Sequence, residues 1–349
     1  MINSLKTNQY VNDVLHQPEA LRDTVAGLEG MNFAAYQRFA QCLSDQTLKR
    51  VLLTGMGSSF HALYPLCLAL IANGIQTEMF ETSELIHFAP RLLSPDTLVV
   101  AVSQSGRSAE TLQLLDLIHK DAPLIGVTNT PDSPLAQKST AVLLTRAGAE
   151  YSVSCKTYVA SLAALALLGD LLTGRDGAET ITAISATIGL AAQYLSHWEA
   201  YVESAVEELA GIPHLILTGR GTSLAAVGTG GLIIKEAAHF HAEGMSSAAF
   251  RHGPLEMVSP ELFVLVYAGL GPSRRLNVNL VADIRKAGGR AELIAPGEGH
   301  QLFILPLVPD ACLPMVEILP IQLVSIALAV LKNYSPGQFE RGSKVTEIE

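Results

Sequence analysis

The sequence predicts an α/β protein made of two copies of one unit, each a parallel sheet with helices on both faces. Three observations carry this reading. Short runs rich in valine and leucine alternate with segments of helical period, the pattern of strands buried on both sides. The run Leu52-Leu53-Thr54-Gly55-Met56-Gly57-Ser58-Ser59 recurs at a constant offset as Ile216-Leu217-Thr218-Gly219-Arg220-Gly221-Thr222-Ser223, and a repeat of this length implies duplication. The chain has 349 residues, beyond the roughly 250–300 at which a single core stops growing.

Composition narrows the class. With 49% hydrophobic and 16% charged residues the chain has ample material for buried cores and is not a disordered polymer. A net charge of −10 and a pI near 5.5, with no basic run, argue against a nucleic-acid partner. No stretch of about 18 uncharged apolar residues marks a membrane span, and the amino terminus lacks the apolar core of a signal peptide, so a cytoplasmic protein is expected. The four cysteines, Cys42, Cys67, Cys155 and Cys312, have neither C-x-x-C nor zinc spacing, and reduced thiols are expected.

In chain order, residues 1–45 read as helices, with Pro18 near the first turn of one and a second pattern over 33–43. The first unit, 46–175, opens with a strand at 50–54 that enters the glycine turn 55–59. A helix over 61–72 follows, then strands at 76–80, 98–102, 124–127 and 142–145. A Gly/Asp/Thr-rich patch at 173–177 and helices over 179–209 predict a helical linker at 176–210. The second unit, 211–332, has strands at 263–267, 291–294 and 302–305 and a helix over 315–331. Residues 333–349 read as a polar tail.

Ligands of such sheets lie at the carboxyl ends of the strands, where two turns fall. The stretch 99–112 runs from a valine-rich strand through Ser103-Gln104-Ser105-Gly106-Arg107-Ser108 into a helix. Backbone N–H groups, the positive end of a helix dipole and short hydroxyls converge there on one point, which suits a phosphate. The same serines also suit plain helix capping, and both readings stand on these residues alone.

A second cluster is Lys235-Glu236, His239, His241, Glu243 and Arg251-His252-Gly253-Pro254. A carboxylate and an imidazole beside a phosphate loop suit proton movement on a sugar phosphate; on composition alone, Glu236 reads rather as a solvated helix position paired with a lysine. Alternation of His239, His241 and Glu243 along a strand would put all three on one face, as metal ligands require, but no fourth ligand accompanies them. No metal or cofactor is expected. Lys344 reads as a solvated tail lysine, and Cys155 as a small buried thiol.

In order and spacing, 17–22, Gly57-Ser58-Ser59, Ser103-Gln104-Ser105-Gly106, Gly148-Ala149-Glu150, Gly219-Arg220-Gly221, Lys235-Glu236, His241-Ala242-Glu243, His252-Gly253-Pro254 and Lys344-Val345-Thr346 resemble the sugar isomerase (SIS) domain family. The likeness is to its tandem form, found in the isomerase half of glucosamine-6-phosphate synthase and in amino-sugar phosphate deaminases and fructosamine phosphate deglycases. It implies two tandem SIS domains, each a flavodoxin-like three-layer αβα sandwich around a parallel sheet. By the same resemblance, Ser59, Ser103, Gln104, Ser105 and Ser108 bind the 6-phosphate of an open-chain sugar, and Val153 lines the sugar site. Glu236 matches the base that moves a proton between C1 and C2. His252 matches the ring-opening histidine, which in the synthase comes from the neighbouring subunit, and Lys344 matches a lysine that forms a Schiff base with the keto sugar. An active site shared across subunits implies a homodimer.

Three departures shape the expectation. Ile2 follows Met1 where the synthase needs a cysteine, so no glutaminase domain is expected and deamination or deglycation becomes the natural chemistry. Ile233 stands where the synthase has a lysine. The loop 152–157 is one residue shorter than in relatives, and Phe339-Glu340-Arg341 replaces Pro-Arg. The expected protein is a phosphosugar isomerase, deaminase or deglycase acting on an amino-sugar or fructosamine 6-phosphate. The alternative is a non-catalytic sugar-phosphate-binding regulatory protein, which would need the serine loop but neither Glu236 nor His252.

Overall fold

Strands of mostly four to seven residues build two all-parallel sheets in the computed structural model, which describes residues 5–297 and 299–346. The first sheet contains β1 (Arg50–Gly55), β2 (Thr77–Glu81), β3 (Thr97–Val102), β4 (Leu124–Thr128) and β5 (Ala141–Leu144), in the order β2-β1-β3-β4-β5. The second contains β6 (His214–Gly219), β7 (Ala242–Ser246), β8 (Leu262–Tyr267), β9 (Arg290–Pro296) and β10 (Ile304–Leu305), in the order β10-β9-β8-β6-β7. Read from the opposite edge, the second order is that of the first, so the sequence repeat is a repeat of topology and the expected doubly wound α/β class holds. The central strands explain why. All six residues of β3, TLVVAV, and of β8, LFVLVY, are buried; each such Val or Leu contributes about 1.5–3 kcal/mol.

The chain divides into two compact units. One holds Met1–Pro18, Glu150–Cys155 and Ala186–Arg341; the other holds Glu19–Ala149, Lys156–Ser185 and Gly342–Glu349. Two of the five divisions fall inside the helices Gln17–Glu29 and Ala178–Leu195, whereas the sequence alone suggests 1–45 and 176–210 as separate segments and 333–349 as one tail.

Several elements differ from expectation. The helix over 61–72 is two helices, Gly57–His61 and Tyr64–Ala72, the second starting with a proline in its first turn, where the missing N–H costs nothing. Of the strand expected at 302–305 only Ile304–Leu305 pairs; Gln301–Phe303 is a 3-10 turn. β7 was not anticipated, because Ala-Glu-Gly-Met-Ser carries little strand propensity. Its place is fixed by the helix Leu224–Ala238, which presses so close that a Cβ on Gly231 would stand 2.8 Å from the Gly244 nitrogen. His239 is the left-handed cap of that helix, with φ 47°, and His241 precedes β7, so His239, His241 and Glu243 do not share the face of one strand. Asp310–Leu331 is the one run among the described residues long and apolar enough to cross a membrane, and 94% of its most apolar window is buried in the protein as core. Ile2, on which the glutaminase expectation rests, lies outside the described residues.

Candidate functional site

The serine loop is held from beneath and open above. The Ser103 N–H donates to the Val127 carbonyl at 3.0 Å, and the Gln104 carbonyl accepts from the Asn129 N–H at 3.0 Å and the Thr128 hydroxyl at 3.2 Å. Gly106 turns the chain at φ +62°, and a Cβ there would collide with the Ser133 side chain; its carbonyl accepts from the Leu135 N–H at 3.2 Å. Inside the loop, the Ser103 hydroxyl accepts from the Gly106 N–H at 3.2 Å. Ser103, Gln104, Ser105 and Ser108 remain partly exposed.

Ser108 occupies the N-cap of the helix Ala109–Leu117, yet its side chain makes no capping bond and pairs with the Thr111 hydroxyl at 2.8 Å. Plain capping therefore does not account for Ser108. Ser59 follows β1 in the short helix Gly57–His61. Because Gly55 stands opposite Val102 in register, the turns after β1 and β3 meet at one edge of the sheet, where a Cβ on Gly55 would lie 3.0 Å from the Val102 carbonyl.

One feature of this unit was missed on sequence. Asn129, just past β4, accepts from the Thr145 hydroxyl at 3.0 Å and the Ala147 N–H at 2.7 Å and donates to the Gly148 carbonyl at 2.8 Å, tying the segment after β5 to the serine-loop edge. Its signal was position: a polar side chain at the carboxyl end of an inner strand. The end of the tail, whose Lys344 the resemblance marks, lies in this unit as well. The Ala109 N–H, first of the helix after the serine loop, donates to the Thr346 carbonyl at 3.1 Å. Lys344, two residues earlier, is only partly exposed and is engaged in an interaction, so the solvated-tail reading does not hold for it.

The other unit carries Glu236, Val153 and His252. Glu236 lies in the last turn of the helix Leu224–Ala238, where the neighbouring Ala237 carbonyl accepts from the Gly337 N–H at 3.0 Å. Tyr10 is fully buried, with its hydroxyl 3.0 Å from that of Ser325. Burial first, then the charges of Cys155, Glu236 and Glu150, push its phenol well above the ordinary tyrosine range, while the Ser325 contact opposes them. Tyr10 is thus a neutral group in the surroundings of Glu236 that sequence reasoning did not mark. Glu150 accepts from the Cys155 N–H at 2.9 Å and Asp13 from the Tyr151 N–H at 2.7 Å, closing the loop 150–155. Val153, expected to line the sugar site, is 1% exposed. Cys155 is buried as expected.

His252 is exposed at the cap of the short helix Ser247–Arg251, and Ile233 is buried core. His241 and Glu243 are 3.9 Å apart on the surface, while the His239 ring packs on Tyr334. Among the described residues no three His, Cys, Asp or Glu side chains are grouped to hold a metal ion.

The chain is similar to known proteins. Residues 46–169 match the family described as the SIS domain. The glutamine–fructose-6-phosphate aminotransferase (isomerizing) of Pyrococcus horikoshii is 29% identical over 97% of this chain, and the chain spans 57% of that relative's length. The C-terminal domain of glucosamine-fructose-6-phosphate aminotransferase from Francisella tularensis superposes with a TM-score of 0.82 at 20% identity, over 94% of this chain and 97% of that one. Glucosamine-6-phosphate deaminase from Thermotoga maritima gives 0.75 at 19% identity, over 97% and 100%. At such identity these two structures show a shared fold.

Proposed function

We infer, from a chain whose residues 46–169 belong to the SIS domain family, that this protein is an enzyme of a sugar 6-phosphate, most naturally an amino-sugar or fructosamine 6-phosphate. The observation that carries this reading is the serine loop: pinned from below, partly exposed above, and placed at a helix N-terminus whose N-cap serine makes no capping bond. Ser59, Ser103, Gln104, Ser105 and Ser108 hold the phosphate through hydroxyl, amide and backbone donors, which favour a doubly charged ester over a neutral sugar.

Chemistry then falls to three groups. His252 opens the ring by moving the proton of the anomeric hydroxyl. Glu236 takes a proton from one of C1 and C2 and returns it to the other, the task of a carboxylate that reaches both carbons from one side. With nitrogen on C2 of an aldose this shift yields an imine at C2; with nitrogen on C1 of a ketose it yields one at C1. Water adds to that carbon and ammonia or the amine leaves. Lys344 serves the keto form through a Schiff base. His252 is exposed, which fits a residue given to a second copy of the chain, and a homodimer is part of the proposal.

Two variants separate binding from chemistry. Ser105→Ala should raise KM about tenfold with kcat held, and Glu236→Gln should lower kcat by roughly a hundredfold or more while sugar-phosphate affinity stays. Steady-state kinetics in which both variants match the parent would refute the assignment.

A further inference from the structure

Two glycine bends that frame the serine loop recur in the second sheet without the loop's hydroxyls. After β3 the chain runs Ser103-Gln104-Ser105-Gly106-Arg107-Ser108; after β8 it runs Ala268-Gly269-Leu270-Gly271-Pro272-Ser273. Gly106 and Gly271 have φ of 62° and 61°, and Gly57 and Gly221, in the matching turns after β1 and β6, have 52° and 63°. The two turns share these glycine bends and differ at the position of Gln104, where Gly269 has φ 67°, and in the helix that follows, which starts at Ala109 in the first and already at Ser273 in the second. In the second, Ala268, Gly269 and Leu270 have replaced the three residues that would meet a phosphate.

A carboxyl group stands there instead. Glu317 ends the helix Leu313–Glu317, is 1% exposed, and accepts a 2.7 Å hydrogen bond from the hydroxyl of Ser223, the counterpart of Ser59. The same hydroxyl lies 3.4 Å from where a Cβ on Gly269 would stand, so the carboxyl sits where the turns after β6 and β8 converge. Its second oxygen, Oε2, is buried with no hydrogen-bond partner. A half-satisfied carboxyl in the interior is costly, and this one lies in the single place where duplication would have put a bound anion.

We propose that Glu317 fills the second cradle with the chain's own carboxyl group, in the position where the first cradle takes a phosphate, so that each chain takes up one sugar phosphate. The stoichiometry rests on the phosphate reading of the first cradle; the role of Glu317 does not. A phosphate entering the second cradle would find few donors and a buried carboxyl group in its way.

The test uses the full chain. Calorimetric titration with inorganic phosphate and with fructose 6-phosphate should give one site per chain, weakened about tenfold in Ser105→Ala and unchanged in Ser223→Ala. Glu317→Ala empties the second cradle, and formate should then raise its melting temperature by several degrees more than it raises that of the parent. The same rescue is expected in a Ser105→Ala background, so this arm reads the second cradle alone. Should Glu317→Ala fail to fold, Glu317→Ser, which also removes the carboxyl group and leaves its space open, takes its place with the same readout. A second phosphate per parent chain that Ser223→Ala removes, or formate that stabilises the Glu317 variants no more than the parent, overturns the proposal. Formate rescue without phosphate uptake by any form supports the role of Glu317 and removes the phosphate reading of the first cradle.

Discussion

Glu317 is where single-residue chemistry is most consequential for stability. Burial pushes its carboxyl from the ordinary 4.5 up to about 7, against the pull of the Ser223 hydrogen bond. In the unfolded chain it ionises first, so its contribution is fully present below the ordinary value and is lost as pH rises toward and through the folded one. The span corresponds to a loss on the order of 3 kcal/mol. Urea unfolding at about pH 5 and about pH 8 should therefore show the parent losing stability over this interval relative to Glu317→Gln, in which no group titrates; equal pH dependence of the two would contradict the burial of an ionisable acid here. A signal for this residue was present in the sequence: Glu317 is the one charge between Leu313 and Leu331. Tyr10 gave no comparable signal, since a tyrosine at helical spacing reads as core and its nearness to Glu236 arises only in three dimensions.

The element that decides ligand binding is the turn between β3 and its following helix. Gly106→Ala should cost about 1–3 kcal/mol, because it adds a left-handed backbone conformation to a clash with Ser133, and it should weaken phosphate binding by displacing the loop. Gly74→Ala, at φ +78° with open space around it, provides the comparison: it carries the backbone cost of about 1 kcal/mol alone and should leave binding unchanged. Thermal unfolding and phosphate titration of the pair check this, and equal losses of affinity in both would contradict the role given to the loop. The core strands were legible because alternation of apolar runs and helical segments is a property of the chain itself. β7 was not, because a glycine-containing strand is held by the close approach of the helix Leu224–Ala238, which no local pattern encodes. The candidate phosphate loop was legible as a composition of serines after a strand, whereas the bonds that pin it, from Thr128 and Asn129, come from the adjacent strand.

At the scale of the whole molecule, duplication was the clearest message of the sequence, since two glycine turns at a constant offset became two sheets of one strand order. The partition of the chain was not legible. Two of its divisions fall inside continuous helices and one within the tail, where packing rather than composition draws the line. Lys344 belongs with the serine-loop unit, and Glu236, Val153 and His252 belong with the other. The most direct measurement is to incubate the full chain with hexose 6-phosphates, glucosamine and galactosamine 6-phosphates, and amino-acid-linked fructose and glucose 6-phosphates, and to read ammonia, free amino acid and isomerised sugar. The account predicts turnover of at least one of these, lost in Glu236→Gln. Absence of product from every compound, while sugar phosphates still raise the melting temperature, would contradict it and identify a sugar-phosphate-binding regulatory protein.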